Sequence, residues 1–182
     1  MRNQVLTQFD IYKMEYKGGS VRSHLSPVLL TDEYFEQYQD IVDKAFNLMR
    51  QELEIRPYDK HRYTLMDLED LKQKCHIVLD GDIIICGVTC NNNEIDSVVV
   101  NPRYQGRGMG RKITEFGVSA LQKQDSDKIT LSVTKWNTRA VTLYQSMGFE
   151  ITRKTTVTGV NILNPDGSWS FMFTSNAADI MR

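Results

Sequence analysis

The chain has 182 residues, of which 41% are hydrophobic and 25% charged, so it is long enough to bury a substantial core within one domain. Its 22 lysines and arginines against 23 aspartates and glutamates leave a net charge of −1, which excludes the basic excess typical of nucleic-acid-binding domains. We therefore expect a single domain over residues 1–182, with neither nucleic acid nor membrane among its partners.

Its start, MRNQVLTQFDIYK, lacks the apolar core of a signal peptide, and no apolar run approaches membrane-spanning length. The cysteines Cys75, Cys86 and Cys90 lack metal-ligand spacing, as do the histidines. We interpret the cysteines as buried free thiols in a reducing compartment. We expect a cytoplasmic protein that needs no metal.

Residues 1–30 hold one or two predicted strands, around 9–16 and 21–30, on either side of a glycine pair, as an N-terminal extension or as the first strands of the domain. From Thr31, a favourable cap residue, apolar side chains recur at helical spacing and predict a long helix that ends before Pro57. A short helix is predicted at 67–74. The segment 56–63 between them is either a pocket-lining loop or a solvated connector, and we favour the connector.

Three strands are predicted next, at 76–79, 83–90 and 94–100. Asp80-Gly81 suits the primed turn of a hairpin, and the three asparagines at 91–93 supply the following turn. The three strands should form an antiparallel meander.

The remaining predicted elements are a helix at 109–121, a strand at 129–133, a helix at 137–147, and closing strands at 149–157 and 169–173. A helical crossover makes strand 129–133 parallel to strand 94–100. In the last strand, Trp169, Phe171 and Phe173 alternate and are predicted to face inward.

The segment 101–113, NPRYQGRGMGRKI, joins a strand to a helix through Gly106, Gly108 and Gly110, with Arg107 and Arg111 among them. Glycine lets successive N–H groups turn toward one anion, and the helix start adds its positive dipole end. This composition suits a phosphate cradle; the alternative is a softened turn with solvated arginines. The dinucleotide fingerprint fits poorly, because it needs a glycine where Arg111 stands, and the Gly-Lys-Ser/Thr of a Walker loop is absent.

The pattern Gln105-x-x-Gly108-x-Gly110 resembles the coenzyme A pyrophosphate loop of the GNAT superfamily of N-acetyltransferases. That family's second block, N-x-x-A-x-x-L-Y-x-x-x-G-F, is matched from Asn137 to Phe149. The resemblance implies an α/β domain with a mixed, mostly antiparallel sheet, splayed between two central parallel strands and flanked by helices. It also implies acetyl-CoA as co-substrate, bound in the splay.

By the same resemblance, coenzyme A contacts the end of a strand, the glycine loop and two residues of the second block. These are Val98, Val99, Val100, Gln105, Gly106, Arg107, Gly108, Met109, Gly110, Arg111, Asn137 and Tyr144. The main-chain N–H of Val98 would stabilise the oxyanion, and the backbone of Val100 would pair with the pantetheine arm. The valine side chains are core residues at the same time, and Asn137 also suits a helix N-cap.

An acceptor ammonium, with a pKa of about 10.4 for a lysine-like amine, must lose a proton before it attacks a thioester. Glu94 is the first candidate base, since its distance to Gln105 resembles that in histone-type members of the family. Asp96 shares its strand face by alternation and is the reserve base, because neighbouring carboxylates raise one another's pKa. A bulge would reverse this facing, and water as the base stays open.

Tyr144 is the candidate acid for the departing thiolate, or else a core tyrosine. We predict direct acetyl transfer from acetyl-CoA to a primary amine of a small molecule or peptide, without an acyl-cysteine. The alternative function is a non-catalytic coenzyme A-binding sensor or structural module. A dinucleotide-dependent oxidoreductase is disfavoured by Arg111 and by the antiparallel hairpins. The identity of the acceptor and a homodimer are left open.

Overall fold

The computed structural model describes residues 4–58, 65–124, 126 and 128–174. Within these ranges eight strands form one sheet, and four α-helices flank it. In chain order the elements are β1 (Gln4–Tyr16), β2 (Val28–Leu29), α1 (Asp32–Glu52), α2 (Leu65–Lys74), β3 (Cys75–Asp80), β4 (Ile83–Asn91), β5 (Glu94–Val100), α3 (Met109–Gln122), β6 (Thr130–Thr134), α4 (Thr138–Ser146), β7 (Phe149–Leu163) and β8 (Trp169–Phe173). The strand order is β2-β3-β4-β5-β6-β1-β7-β8.

β5 and β6 are the parallel neighbours in a sheet whose other neighbours are antiparallel. They pair at Glu94 with Thr130 and at Ile95 with Leu131. Past these pairs the register between the two strands ends, although β5 continues to Val100. The sheet therefore opens between them, which confirms the predicted mixed sheet with a central splay.

The two faces of the sheet carry different helices, which we name the α3 face and the α1 face. Val98 and Val100 pack into the cluster that contains Ile113 of α3 and Tyr144 of α4. Val99, between them, belongs to the cluster that contains residues of α1 and α2. Alternate residues of one strand point to opposite faces, so α3 with α4, and α1 with α2, lie on opposite sides of the sheet.

Three predicted details are wrong. The predicted strand at 21–30 is reduced to β2, because the Val21 N–H donates to the side chain of Gln122 in α3 (2.9 Å) and not to another strand. β7 is six residues longer than predicted, since it pairs with β1 along most of its length. Phe173 is 38% exposed, because it ends the edge strand β8.

The loop after α1 is fastened to the sheet by a buried amide. Asn161 of β7 is 1% exposed; its Oδ1 accepts from the Arg56 N–H (2.7 Å), and its Nδ2 donates to the Glu54 carbonyl (2.8 Å). Leu53 and Ile55 pack there against residues of β1 and β7. The predicted connector at 56–63 extends beyond this anchor, and its residues 59–63 lie outside the described part of the chain.

Asn161→Ala should lower the free energy of unfolding by about 2 kcal/mol, because it removes two hydrogen bonds of about 1 kcal/mol each, one from the Arg56 N–H and one to the Glu54 carbonyl. Urea denaturation followed by circular dichroism measures this. Met172→Ala is the control, since Met172 is 57% exposed on the edge strand. Equal losses in the two variants would mean that the loop is held by other contacts.

Candidate active site

The loop between β5 and α3 begins with a 3₁₀ turn, Pro102–Tyr104, and contains two glycines in the left-handed region. Gly106 has φ 75° and Gly108 has φ 77°, a conformation that side-chain-bearing residues rarely adopt. Gly108 is the N-cap of α3, and Lys112 donates to its carbonyl (3.2 Å). The three N–H groups before Lys112 start the helix and have no intrahelical acceptor, as at any helix N-terminus.

The loop has room for a ligand on its outer side. A Cβ built at Gly106 or at Gly108 would meet no atom within 4 Å. At Gly110 a Cβ would instead lie 3.4 Å from Leu143, so this glycine lets α3 and α4 approach. Free main-chain donors, a helix start and open space at the glycines together fit a diphosphate.

Basic side chains border this loop from both ends. The Arg107 guanidinium lies 5.2 Å from the centre of the Tyr104 ring. Arg111 donates to the Ser146 hydroxyl (2.5 Å) and thereby ties α3 to α4. Both arginines therefore stand beside the helix start, where their charges favour an anion.

Beyond Ile95, the edge of β5 that faces the splay has no pairing with β6. The Asn101 N–H donates to the Ile85 carbonyl on β4 (2.9 Å), which fixes the phase of hydrogen bonding because successive N–H groups point to opposite edges of a strand. The N–H of Val99 therefore points to β4, and the N–H groups of Val98 and Val100 point into the splay. The oxyanion role of the Val98 N–H and the pairing of Val100 with pantetheine stay predictions.

Two polar side chains hold the end of β5 in place. Asn101 donates to the Ile84 carbonyl (2.9 Å) and accepts from the Arg103 N–H (3.1 Å). Gln105 donates to the Val100 carbonyl (3.3 Å), so its side chain braces the strand. Asn101 was not among the predicted site residues, although asparagine before proline is a recognised turn signal.

A β-bulge at Asp96 changes the facing of the β5 side chains. Thr89 pairs with Ser97, but its neighbour Cys90 pairs with Ile95, which leaves Asp96 as the extra residue. Ile95 and Val98 consequently both pack on the α3 face, although they are three residues apart. Simple alternation along β5 is therefore reversed for the residues beyond Asp96, because the bulge adds one residue to the strand.

Glu94 and Asp96 border one cavity of about 320 Å³, beside the turn at 91–93. Partial desolvation, followed by the charge of Glu94, raises the pKa of Asp96. Asp96 therefore holds its proton to a higher pH than an isolated aspartate does, which moves it toward the range of a general base.

Glu94 is held by residues of two other strands. Its Oε2 lies 2.7 Å from Nζ of Lys13 on β1, and its Oε1 accepts from the Ser132 hydroxyl on β6 (3.1 Å). The Glu94 side chain is 19% exposed. Neither Lys13 nor Ser132 was predicted, because no local sequence pattern connects them to Glu94.

Tyr144 is 9% exposed and packs in the cluster on the α3 face. Its ring meets that of Phe149 edge to face, with centroids 5.9 Å apart. Burial raises the pKa of Tyr144 to about 12, so the side chain is a neutral phenol at physiological pH. Asn137 caps α4 by accepting from the Ala140 N–H (3.1 Å), as predicted for an N-cap.

The cysteines are free, and burial raises the pKa of both Cys86 and Cys90 to about 12. They are therefore protonated at neutral pH and poor nucleophiles. Within the described ranges, no group of three or more His, Cys, Asp or Glu side chains is arranged to hold a metal ion. None of the helices described has the length and apolarity required to cross a membrane.

Comparison with known proteins decides the family. A family model described as Acetyltransferase (GNAT) family matches residues 31–149. The chain belongs to this family. The match includes the glycine loop, the splayed strands and both carboxylates of β5, and it confirms the resemblance seen in the two sequence blocks.

Individual GNAT relatives are similar over shorter stretches or at low identity. Mycothiol acetyltransferase of Renibacterium salmoninarum is 45% identical over 56 residues, which are 31% of this chain and 17% of that protein. The GCN5-related N-acetyltransferase structure from Sphaerobacter thermophilus has a TM-score of 0.62 at 17% identity, covering 90% of this chain and 54% of that one. A chain from the NatC complex bound to Gag peptide and CoA has a TM-score of 0.56 at 18% identity, covering 81% and 95%.

The sequence matches cover only a small part of the curated relatives. The stretches matched in the first curated relatives span less than a fifth of those proteins. The structural likenesses, all at low identity, show the fold of this GNAT member.

Gly108→Asp should weaken the binding of coenzyme A about fivefold or more, because a carboxylate at the loop repels a diphosphate and charges 4 Å apart interact by about 1 kcal/mol even in water. Isothermal titration calorimetry measures the affinity. Gly167→Asp is the matched control, since Gly167 also has a left-handed φ (82°) and open space around it, but in the turn between β7 and β8. Equal affinities for the two variants would show that the loop is not the diphosphate site.

Proposed function

We propose that this GNAT member transfers the acetyl group of acetyl-CoA directly to a primary amine. The observation that carries the proposal is the position of β5. One end of this strand leads into the glycine loop, its middle turns the N–H groups of Val98 and Val100 into the splay, and its other end bears Glu94 and Asp96. A donor site and a base are thus supported by a single strand.

In this proposal the diphosphate of coenzyme A binds at the start of α3, and its pantetheine arm lies in the splay as an added strand. The N–H of Val100 donates to the arm. The N–H of Val98 faces the thioester carbonyl and stabilises the oxyanion of the tetrahedral intermediate. Gln105 keeps the Val100 carbonyl occupied and so fixes the strand that presents these donors.

The acceptor amine approaches from the α1 face, where Glu94 and Asp96 lie. Glu94 accepts a proton from the ammonium, with Asp96 as the reserve base, and the amine nitrogen attacks the carbonyl carbon. Collapse of the intermediate forms the amide bond and breaks the carbon–sulfur bond. The departing thiolate accepts a hydrogen bond, and finally a proton, from the Tyr144 hydroxyl.

The names of the relatives support an amine acceptor without selecting one. One relative is named mycothiol acetyltransferase and another structure is a complex bound to Gag peptide, so we keep a small-molecule amine and a peptide amine as the two acceptor classes. The free thiols of the described residues support a reducing compartment, such as the cytoplasm. Release of free thiol from acetyl-CoA, measured across both amine classes, tests the activity.

Glu94→Gln should lower kcat by about a hundredfold or more, because general-base catalysis contributes about 10²–10⁴-fold. Coenzyme A affinity should be unchanged, since Glu94 lies away from the loop. Steady-state rates across a pH series measure this, with Asp96→Asn as the matched variant.

The same pH series identifies the base. Removal of the Glu94 charge lowers the pKa of Asp96, so if Asp96 were the base, Glu94→Gln would keep its kcat and its acidic limb would move to lower pH. Unchanged pH–rate profiles in both variants would instead indicate that water accepts the proton. Either result contradicts the assignment of Glu94.

Tyr144→Phe should lower kcat by about a hundredfold, the low end of general-acid catalysis, while thermal stability and coenzyme A affinity stay at the wild-type level. Because the pKa of Tyr144 is raised to about 12, the phenol stays protonated and the wild-type to mutant ratio should be the same at pH 7 and pH 9. Single-turnover rates measure the chemical step. A wild-type rate in this variant would reduce Tyr144 to a packing residue.

A further inference from the structure

Lys13 places a primary amine of the protein itself beside the candidate base. Its Nζ lies 2.7 Å from Oε2 of Glu94, and the two side chains are 35% and 19% exposed. An acceptor amine must come within hydrogen-bonding distance of the base that deprotonates it. Lys13 therefore already occupies the position that the proposed reaction requires of its substrate.

The strand register shows how Lys13 reaches this position. Lys13 on β1 pairs with Ser132 on β6, and Ser132 is the first β6 residue beyond the last β5–β6 pair, Ile95 with Leu131. The lysine side chain thus crosses β6 where the splay begins. Val98, the proposed oxyanion donor, lies three residues beyond Ile95 on β5, roughly 7–10 Å further along the strand.

A lysine side chain can cover much of this distance by rotation of its flexible four-carbon stem. Glu94, which Lys13 contacts, and Val98 are both on β5, the strand that would hold the thioester. Proximity of this kind makes a reaction effectively unimolecular and raises its rate strongly over reaction from solution.

We propose that the protein acetylates its own Lys13 when it holds acetyl-CoA and no other acceptor. The proposal rests on the proposed function. The Lys13 ammonium gives a proton to Glu94, and Nζ attacks the acetyl carbonyl. A carbon–nitrogen bond forms, the carbon–sulfur bond breaks, and coenzyme A leaves as the protonated thiol.

Acetylation would have a direct consequence for the site. The product is a neutral amide, so the ion pair with Glu94 is lost. Glu94 would then be available to pair with the ammonium group of an external acceptor. Lys13 is in this sense an internal competitor for the acceptor position.

Lys154 offers a matched comparison within the same chain. Its Nζ lies 2.9 Å from the Asp10 carboxylate, whose side chain is 20% exposed, and Lys154 itself is 51% exposed. Lys154 pairs across the sheet with Tyr12, and Tyr12 packs with the cluster on the α3 face. It is therefore a carboxylate-paired lysine on the opposite face, and the more accessible of the two to uncatalysed acetylation.

The experiment incubates the purified protein with acetyl-CoA that carries a heavy isotope in its acetyl group, without added amine. Peptide mass spectrometry follows the labelled fraction of Lys13 and Lys154 with time, at several protein concentrations. Gly108→Asp and Glu94→Gln are treated in the same way. A parallel sample contains an amine that the wild type turns over.

Lys13 should be labelled at least about tenfold faster than Lys154, with a rate constant that does not depend on protein concentration. Both variants should lose this excess, and the added amine should compete with it. Equal labelling of the two lysines, or a rate proportional to protein concentration, overturns the proposal while turnover of the added amine upholds the proposed function. Binding of coenzyme A with neither Lys13 nor any amine acetylated overturns both.

Discussion

β5 and β6 lie side by side for two residue pairs and then separate. Backbone N–H and carbonyl groups are obligatory hydrogen-bonding groups, and a strand inside a sheet normally gives them to its neighbours. Here the edge of β5 that faces β6 is left for another partner. A ligand with amide groups along an extended chain, as in pantetheine, supplies the same donors and acceptors as a strand.

The bulge at Asp96 adds a second device to the same strand. It follows directly after the paired end and sets the facing of Val98 and Val100 toward the α3 face. Glu94, before the bulge, and Asp96, the bulged residue, border a cavity next to the turn at 91–93. One extra residue therefore separates the end of β5 that bears the carboxylates from the end that leads into the glycine loop.

Local patterns predicted most of the fold. Helical periodicity, the Asp-Gly turn and the crossover after Gly108 were enough to predict α1, the meander β3–β5 and the parallel arrangement of β5 and β6, because each depends on neighbouring residues. β2 and the outer part of β7 were misjudged, since their extent depends on pairing with distant segments. Phe173 alternates correctly in sequence, but it ends an edge strand that leaves it exposed.

The site residues that depend on local sequence were predicted, whereas those that depend on distant segments were not. Gly106 and Gly108 were recognisable because a left-handed backbone next to a helix start requires glycine. The Lys13–Glu94 ion pair joins residues of two strands that are separated by β6, and no spacing in the sequence indicates it. The pKa of Tyr144 follows from packing around its ring, which is likewise a tertiary property.

The central claim is that coenzyme A binds as an added strand along β5. Amide hydrogen exchange, resolved by NMR for the valines 98–100 with and without coenzyme A, tests this most directly. Exchange at Val98 and Val100 should slow on binding, whereas Val99, which faces β4 in both states, should change little. Unchanged exchange at Val98 and Val100 under saturating coenzyme A would contradict the account.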